Sequence, residues 1–379
     1  MTGPRRVVIT GMGSVSVAGV GGAAAVASAL TRPASPIGQV RAFDTAGWGS
    51  RLGAEVDDVA LEGLLDPDAA RRLSRICRLT VAACRLAVED SGVAPGPGLG
   101  LVVGTEYGDF RSSEAFASGF LARGPSGLSP MIFPNTVMNS MAAVAAIAIG
   151  ARAPSVTVNQ ATVAGDVAVV RAAALIRDGR AQAVVAGGVD ELFAHAYRRL
   201  AEMGMLSPIA GTGAEGCRPY APDHNGAVLG EGATFLVLEE IEAARARGAV
   251  IHAEVLAAAA GNIPAAPNTA PRRRRDPRSP VLRALRSAGA AVSTVERCYG
   301  SGNGDPALDD WELALLAADG IAAPVSLAPR FGQHGGLGAL RIAAAALDLG
   351  DGRTHEGPML AHGLARGGCR IALVMGTAA

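Results

Sequence analysis

The stretch that decides the fold is Ala153-Pro-Ser-Val-Thr-Val-Asn-Gln-Ala-Thr-Val-Ala-Gly165, which runs on to Ala186-Gly-Gly-Val-Asp190. Its β-branched residues 155–158 predict a short strand, and the small aliphatic residues up to about Ile176 predict a helix. A turn at residues 159–165 joins the two, and a second buried strand follows a Gly/Arg break. A residue on this turn would lie at a helix N-terminus, where free N–H groups and the helix dipole favour an anion or a thiolate.

The composition sets limits on size and partners. At 379 residues the chain is long enough for a large core and for two domains or two fused halves. Apolar residues make up 49% and aromatic residues 4%, which predicts close packing through small side chains. The formal net charge is zero, so no global field favours a nucleic acid or a membrane as a partner. The chain contains no lysine, which excludes Schiff-base chemistry.

The remaining composition signals concern cofactors and location. The chain has five cysteines, and none has CxxC spacing, so we expect neither disulfides nor zinc and a reducing cytosol. Residues 6–10 predict a strand that ends at the GxG of residues 11–13, and residues 69–90 predict a long amphipathic helix. That lone GxG lacks a third glycine in register and is too weak to predict a nucleotide. Residues 1–6 lack the apolar core of a signal peptide, and no apolar run is long enough to cross a membrane. We expect a soluble, cytoplasmic protein with no cofactor and no metal.

The turn at residues 159–165 resembles the nucleophile turn of the β-ketoacyl-acyl carrier protein synthases, enzymes of the thiolase fold that condense acyl thioesters. In that family a cysteine lies eight residues after a proline and three residues before a glycine. Counting forward from Pro154 and counting back from Gly165 both lead to Thr162. The position of the nucleophile is therefore filled by a hydroxyl group instead of a thiol.

Three other segments carry the resemblance along the chain. Residues 7–15, Val-Val-Ile-Thr-Gly-Met-Gly-Ser-Val, are similar to the opening core strand of the ketosynthases. Residues 218–226 and 228–240 resemble the family signature RPFD…DG…GEGAG…LVLE and are the most specific match in the chain. Glu231, inside this signature, is expected to have a structural role.

The first catalytic histidine of the family tests the chemistry. Ketosynthases use two histidines to polarise the thioester carbonyl and to help decarboxylate malonyl groups. The first belongs to an HGTxTPxxDxxE motif, which resembles residues 301–312 of this chain. Pro306, Asp309 and Glu312 keep the frame of the motif, and Ser301 falls on the histidine.

The second catalytic histidine belongs to a KSxTGHxxGAAG motif. Counting forward from residues 325–326 places this histidine on His334. Matching Gly332 and Gly336 to the glycines of the motif places it on Gln333 instead. The two alignments disagree, so an insertion or deletion lies nearby and both assignments stay open.

The two replacements together point to a subunit that does not condense. A threonine hydroxyl with no base beside it is not activated at neutral pH, and Ser301 offers no imidazole. A chain that keeps the motifs of the fold but loses the catalytic ones resembles the chain-length factor, the ketosynthase β subunit of bacterial type II polyketide systems. The resemblance implies a heterodimer with a Cys-bearing ketosynthase α subunit and an acyl carrier protein that carries the phosphopantetheine-linked chain. Many members have Gln at the cysteine position, whereas this chain has Gln160 two residues earlier, and this departure favours a polyene-type product only slightly.

Four residues are candidates for lining or capping the shared acyl tunnel: Tyr107, Ile132, Phe133 and Met138. Tyr107 lies in Thr105-Glu-Tyr-Gly108, which resembles the family's loop beside the acyl site. Ile132 matches a residue that caps the tunnel of the neighbouring subunit in the family, where this region lies at the dimer interface. Ordinary core packing explains the same side chains as well if the resemblance is set aside.

Two loops have open interpretations. Residues 272–275 are four consecutive arginines, for which a solvated loop is the ordinary interpretation. Docking of an acidic carrier protein is the functional alternative, because clustered arginines would steer such a partner. Residues 366–368, Arg-Gly-Gly, resemble the glycine-rich oxyanion loop of the family without its Phe.

We therefore expect an α/β protein of the thiolase-like fold, with two similar halves at residues 1–245 and 246–379. The resemblance implies a five-stranded mixed sheet in each half and five α-β-α-β-α layers. The expected function is that of a non-condensing chain-length factor. Two other classes stay open: a malonyl-carrier protein decarboxylase or other acyltransferase that uses Thr162 and His334, and a homodimeric scaffold that binds an acyl carrier protein.

Overall fold

The computed structural model describes residues 5–209, 213–266, 269–271, 275–350 and 357–378. The strands are β1 (Val7–Ser16), β2 (Gly19–Gly21), β3 (Gly38–Gln39), β4 (Leu52–Gly53), β5 (Leu99–Thr105), β6 (Ser155–Asn159), β7 (Ala183–Asp190), β8 (Gly232–Glu240), β9 (Ala253–Asn262), β10 (Arg297–Gly300), β11 (Val325–Ser326), β12 (Met359–Leu364) and β13 (Cys369–Gly376). The α-helices are α1 (Ala23–Thr31), α2 (Pro67–Ala70), α3 (Arg75–Ser91), α4 (Phe110–Arg123), α5 (Ser140–Ile149), α6 (Ala164–Arg177), α7 (Ala194–Glu202), α8 (Ile241–Ala246), α9 (Pro280–Ser287), α10 (Pro306–Ala318), α11 (Ala328–Phe331) and α12 (Leu337–Gly350).

Two five-stranded sheets with the same topology form the centre of the molecule. The first has the order β1-β8-β7-β5-β6 and the second has the order β9-β13-β12-β10-β11. In each, the first two pairings are antiparallel and the last two are parallel. A short antiparallel contact of Val8 with Glu254 and of Ile9 with Ala253 joins them into one mixed sheet, to which β2 adds an edge. The sequence expectation of two similar five-stranded halves is confirmed by this order.

The helices form three layers around these two sheets. Helices α6 and α12 lie between the two sheets. They share one hydrophobic core with the strand residues that point toward them, among them Val102, Val184 and Leu373. The opposite face of the first half packs on α3 and α5, and that of the second half packs on α9 and α10. Alternate residues along the strands point to opposite faces, which the period of a strand requires. The arrangement is the expected five-layer one.

The boundary between the halves stays a proposal. It was placed between residues 245 and 246, which is the end of α8. Strand β9 begins seven residues after that helix, at Ala253, and opens the second set of five strands. The repeat in strand order is the observation that favours a division there.

Two local expectations were wrong in their bounds. The opening strand was expected to end at Gly11-Met-Gly13, but β1 runs through these residues to Ser16. A side chain at Gly13 would meet the backbone of α3, because its Cβ would lie 2.3 Å from the Ala83 carbonyl oxygen. These glycines therefore permit close packing of a helix on the strand and do not end it. The long amphipathic helix expected from residue 69 is interrupted, and α3 begins only at Arg75.

The turns that precede α6 and α12 meet at the centre of the molecule. A Cβ atom on Gly165, at the start of α6, would lie 2.8 Å from the carbonyl oxygen of Gly335 in the turn before α12, so a larger residue at 165 would push the two segments apart. Farther along the same two helices, Arg341 Nη2 donates to both carboxylate oxygens of Asp166 at 2.9 and 2.8 Å, and both side chains are fully buried. Each helix is thus fixed relative to the other by packing and by an ion pair.

Glu231 has the structural role that its position in the signature indicated. Its carboxylate accepts hydrogen bonds from the Arg75 guanidinium and from the backbone N–H groups of Val56 and Leu192. It therefore ties the loop that follows β7 to the start of α3 and to the segment around Val56. In the described part of the chain, no helix is both long enough and apolar enough to cross a membrane.

Candidate active site

Thr162 lies in a strained turn between β6 and α6. Its φ is +62°, in the left-handed region that β-branched residues rarely occupy. The Val163 N–H donates to the Ala161 carbonyl oxygen at 2.6 Å and closes a three-residue γ-turn around Thr162. Strain of this kind is concentrated at functional sites. The turn places residue 162 directly before the N-terminus of a 14-residue helix, as the sequence predicted.

His334 lies in the equivalent turn of the second half, ahead of α12. Its Nδ1 accepts the Gly336 N–H at 3.1 Å, which places the proton of the neutral ring on Nε2. Burial lowers the pKa of His334 to about 4, so the ring is neutral at pH 7. The Gly232 backbone lies near the ring and opposes this shift, although no hydrogen bond of normal geometry forms between Nε2 and any described residue.

Thr162 and His334 line the same cavity. It has a volume of about 70 Å³, and a second compartment of about 300 Å³ shares part of its lining. Tyr107, Thr162, Phe193 and Arg366 line both spaces. The structure therefore brings together Thr162, His334 and Tyr107, three of the residues that the sequence singled out. Gln333, the other candidate for the second histidine, lines this cavity too.

Two carboxyl groups at the ends of parallel strands define one side of the cavity. Asp190, at the end of β7, accepts hydrogen bonds from the Thr105 hydroxyl at 2.7 Å and from the Gly335 N–H at 2.9 Å. Glu106 directly follows β5, and its Oε2 accepts the Thr162 N–H at 3.0 Å. Burial raises the pKa of Asp190 to about 6, whereas burial together with the Asp190 charge raises the pKa of Glu106 to about 7.

Two further polar groups in the cavity wall have unused hydrogen-bonding capacity. Both oxygens of the Glu191 carboxyl and both polar atoms of the Gln333 amide are buried without a hydrogen-bond partner of normal geometry among the described residues. Arg111 Nε lies 3.7 Å from Glu191 and is the nearest counter-charge. Burial raises the pKa of Glu191 to about 7. A ligand or solvent in the cavity could satisfy these atoms.

Ser301 lies behind the cavity wall and does not line the cavity. It is fully buried, its hydroxyl donates to Glu312 Oε1 at 3.0 Å, and that hydroxyl accepts the Leu364 N–H at 2.8 Å. The Glu312 carboxylate also lies 2.6 Å from His362 Nδ1, within the same buried network. In this segment the cavity is lined by Asn303, Asp305 and Leu308 instead. Ser301 therefore has a structural contact, and the imidazole of this network, that of His362, does not line the cavity.

The tunnel candidates separate into two groups. Tyr107 lies in the cavity wall, edge-on to Phe193 with ring centroids 5.5 Å apart. Ile132 and Phe133 line neither compartment; Phe133 is exposed and packs on the Phe116 ring. Met138 belongs to neither group. It does not line the two compartments, but its Sδ lies 3.9 Å from Nδ2 of Asn159, the last residue of β6.

Of the two loops with open interpretations, the structure describes the Arg-Gly-Gly loop in full and the arginine cluster in part. Residues 272–274 lie outside the described residues, so the arginine cluster is seen only at Arg275, which borders a surface groove with Arg278 and Arg283. In the Arg-Gly-Gly loop, the N–H of Gly367 donates to the Thr269 carbonyl oxygen at 2.8 Å and that of Gly368 to the Ala365 carbonyl oxygen at 3.1 Å. These two N–H groups are therefore already used within the chain.

Sequence reasoning missed the acidic side of the cavity. Glu106 and Asp190 each stand at the end of a segment that the sequence identified, but only Tyr107 was singled out there. The signal that could have found them is a carboxylate at the carboxyl end of each of two neighbouring parallel strands, because such ends meet at one edge of a sheet. Glu191 and Phe193 follow in the same loop.

A family model supplies the deciding observation. Residues 4–244 match the model described as the N-terminal domain of β-ketoacyl synthase. The chain belongs to the β-ketoacyl synthase family. The strained turn with Thr162 and the signature with Glu231 both lie inside the matched part.

Named relatives extend the match beyond this part of the chain. A 3-oxoacyl-[acyl-carrier-protein] synthase 2 of Synechocystis is 31% identical over 257 residues, which are 66% of this chain and 62% of that protein. The match to this chain therefore covers less than two thirds of the length of that relative. A Streptomyces virginiae protein, named provisionally as polyketide β-ketoacyl synthase 1, is 32% identical over 361 residues, 91% of this chain and 85% of that protein.

Solved structures confirm the thiolase-like ketosynthase fold. The structure described as the ishigamide ketosynthase/chain length factor has a TM-score of 0.87 at 28% identity and covers 99% of this chain and 100% of that one. A β-ketoacyl synthase from Burkholderia phymatum has a TM-score of 0.84 at 23% identity, with 99% of this chain and 100% of that chain covered, and it supports the fold alone.

Proposed function

We propose that this chain is a non-condensing ketosynthase subunit, a chain-length factor, that pairs with a Cys-bearing ketosynthase and shapes the acyl tunnel in type II polyketide synthesis. The observation that carries the proposal is Thr162 in the strained turn before α6. The geometry of a nucleophile turn is kept there, but the residue is a hydroxyl that the mechanism of thioester condensation does not use. The likeness to the ishigamide ketosynthase/chain length factor supports the same assignment.

The surface around β6 supports a partner subunit. Strand β6 is an edge of the sheet, paired only with β5 among the described residues. Nearby α4, α5 and the segment between them carry exposed large apolar side chains, namely Phe120, Leu121, Met131, Phe133, Val137, Met138 and Ile147. An open strand edge beside exposed apolar groups is typical of a surface that another chain covers.

The other partner in this proposal is an acyl carrier protein that delivers the growing chain to the paired subunits. The polyketide name of the Streptomyces virginiae relative supports this substrate class. We place the complex in the cytoplasm, which suits the five free cysteines. The length and saturation of the product, whether polyene-type or aromatic, would follow from the tunnel formed by both subunits.

The test is co-expression with the Cys-bearing ketosynthase encoded nearest to this chain. Co-purification is measured together with the mass of the product formed from malonyl-carrier protein, for wild type, Tyr107→Ala and Ile132→Ala. Tyr107 lies on this chain's own cavity and Ile132 on the exposed segment, so the two variants probe different sides of the tunnel. Val250→Ala, an exposed position away from the apolar surface, is the control.

We expect a stable heterodimer whose product length shifts in both tunnel variants and not in the control. A chain that forms only a homodimer, with no effect on any ketosynthase, would rule the proposal out and favour a scaffold for an acyl carrier protein. The second candidate function is decarboxylation or another acyl transfer by Thr162 and His334, because these two residues line one cavity. Thioester turnover by the isolated chain that Thr162→Ala abolishes would favour it.

A further inference from the structure

Glu106 occupies the free N–H group at the strained turn. A backbone N–H group in the turn just before a helix, like the first N–H groups of the helix itself, can donate to an anion bound at the helix N-terminus. The Thr162 N–H belongs to the turn that leads into α6, and it donates to Glu106 Oε2 at 3.0 Å. A carboxylate of the chain itself thus lies where a negatively charged oxygen of a reacting thioester would be stabilised.

The main chain of Glu106 is held on two sides, which fixes the point from which its side chain starts toward Thr162. Its N–H donates to Asp190 Oδ1 and Oδ2 at 3.1 and 3.2 Å. Its carbonyl oxygen accepts Asn159 Nδ2 at 2.8 Å, from the last residue of β6. The contact with Thr162 therefore extends a hydrogen-bonded network that joins Asp190, at the end of β7, to Asn159, at the end of β6.

We propose that Glu106 is a blocking residue: its carboxylate keeps the cavity of this subunit from taking up an acyl group, independently of the loss of the cysteine. The proposal rests on the proposed function, because it explains why a subunit with a kept fold does not react. It makes a distinct claim, however. Restoring a thiol at residue 162 should not by itself restore acyl transfer.

The chemistry of acyl transfer shows why the block would work. A thiolate at residue 162 would attack the carbonyl carbon of a thioester, forming the new S–C bond and placing a negative charge on the carbonyl oxygen. Collapse of this intermediate breaks the bond to the leaving thiol, and the leaving thiolate takes up the proton that the attacking thiol released. Glu106 occupies the N–H donor that would stabilise the negative oxygen, so the intermediate loses that hydrogen bond.

The test compares three variants of the full-length chain: Thr162→Cys, Thr162→Cys/Glu106→Ala and Thr162→Cys/Glu106→Gln. Each is incubated with an acyl thioester of N-acetylcysteamine, and covalent acylation is followed by intact mass. Alanine at residue 106 leaves the N–H of residue 162 without its acceptor. The carbonyl oxygen of glutamine can still accept a hydrogen bond from that N–H, so the Gln variant is the matched control. We expect acylation on the order of 100-fold faster in the Ala double variant than in the other two, the usual effect of one oxyanion donor.

Equal acylation rates for Thr162→Cys and Thr162→Cys/Glu106→Ala would overturn the proposal. A Gln double variant as fast as the Ala one would overturn it too, because Gln keeps the donor occupied. Thermal unfolding by circular dichroism checks that each variant is folded, and Glu106→Ser replaces Glu106→Ala if that one is not. Co-purification of Glu106→Ala with the ketosynthase is measured separately, so a failure of the proposed function is distinguishable from a failure of the block.

Discussion

Thr162 keeps a backbone conformation that its side chain disfavours. A β-branched residue at a φ of +62° stores strain of about 1–3 kcal/mol, which glycine relieves. We expect Thr162→Gly to raise the free energy of unfolding by about 1 kcal/mol once the greater freedom of glycine in the unfolded chain is included. Urea denaturation measures the change. Ala161→Gly, next to it in the turn but without a positive φ, should lower stability instead, and a loss in both variants would contradict the strain.

Glu191 should make stability fall with rising pH. Its pKa of about 7 in the fold exceeds the ordinary 4.5 of a glutamate, so its contribution is fully present below pH 4.5 and is lost as the pH rises through 7. Asp109 and Glu231 add negative charge near this group, and Arg111 opposes them. We expect the free energy of unfolding of Glu191→Gln to exceed that of the wild type by about 2–3 kcal/mol at pH 8. At pH 5 the difference should be small.

Urea denaturation at the two pH values is the measurement for this prediction. Glu62→Gln, on the exposed surface, controls for the substitution itself. A Glu191→Gln gain of equal size at pH 5 and pH 8 would contradict an origin in the titration of the carboxyl group.

At the scale of elements, the sequence predicted most strands and helices because their patterns are local. Residues 155–158 and 183–185 are parts of β6 and β7, and the helix expected to end near Ile176 ends at Arg177. The glycines in β1 were misinterpreted because their cause is non-local: α3 crosses the strand there. Local patterns cannot show which element lies across a glycine.

The candidate site shows the same limit. The register of Thr162 could be read from the sequence since Pro154 and Gly165 are close along the chain. The contact of Glu106 with Thr162 could not, because it depends on β5 and β6 being neighbours in the sheet. The burial of Ser301 behind the cavity wall depends likewise on Glu312, whose position follows from the packing of α10.

The ion pair between α6 and α12 gives a prediction at this scale. Asp166→Asn would leave the fully buried Arg341 guanidinium without its counter-charge, and we expect a loss of about 3–5 kcal/mol in the free energy of unfolding. Asp178→Asn, an exposed position just after α6, is the control and should change little. The double variant Asp166→Leu/Arg341→Met should recover part of the loss, because two of the guanidinium nitrogens have no hydrogen-bond partner in the described structure. Equal stability of both Asn variants would contradict this prediction.

At the scale of the whole molecule, the apolar surface beside β6 predicts how the chain associates. Met131 is 85% exposed in this surface. We expect Met131→Glu to weaken binding to the ketosynthase at least tenfold, because a charge must be desolvated there, while the melting temperature stays unchanged. Val250→Glu, at a residue 69% exposed elsewhere, is the matched control. Sedimentation velocity of the co-expressed pair measures the affinity, and equal weakening in both variants would contradict an interface on this surface.

The open edge at β6 also bears on the life of the chain before it is assembled. Its outer backbone groups and the apolar side chains around it are the features by which unassembled subunits aggregate or are recognised by chaperones and proteases. Copies made in excess of whatever covers this edge would be removed or lost. The steady amount of this chain in a cell would then be set by the supply of its counterpart, so that unequal synthesis of the two would be corrected by degradation.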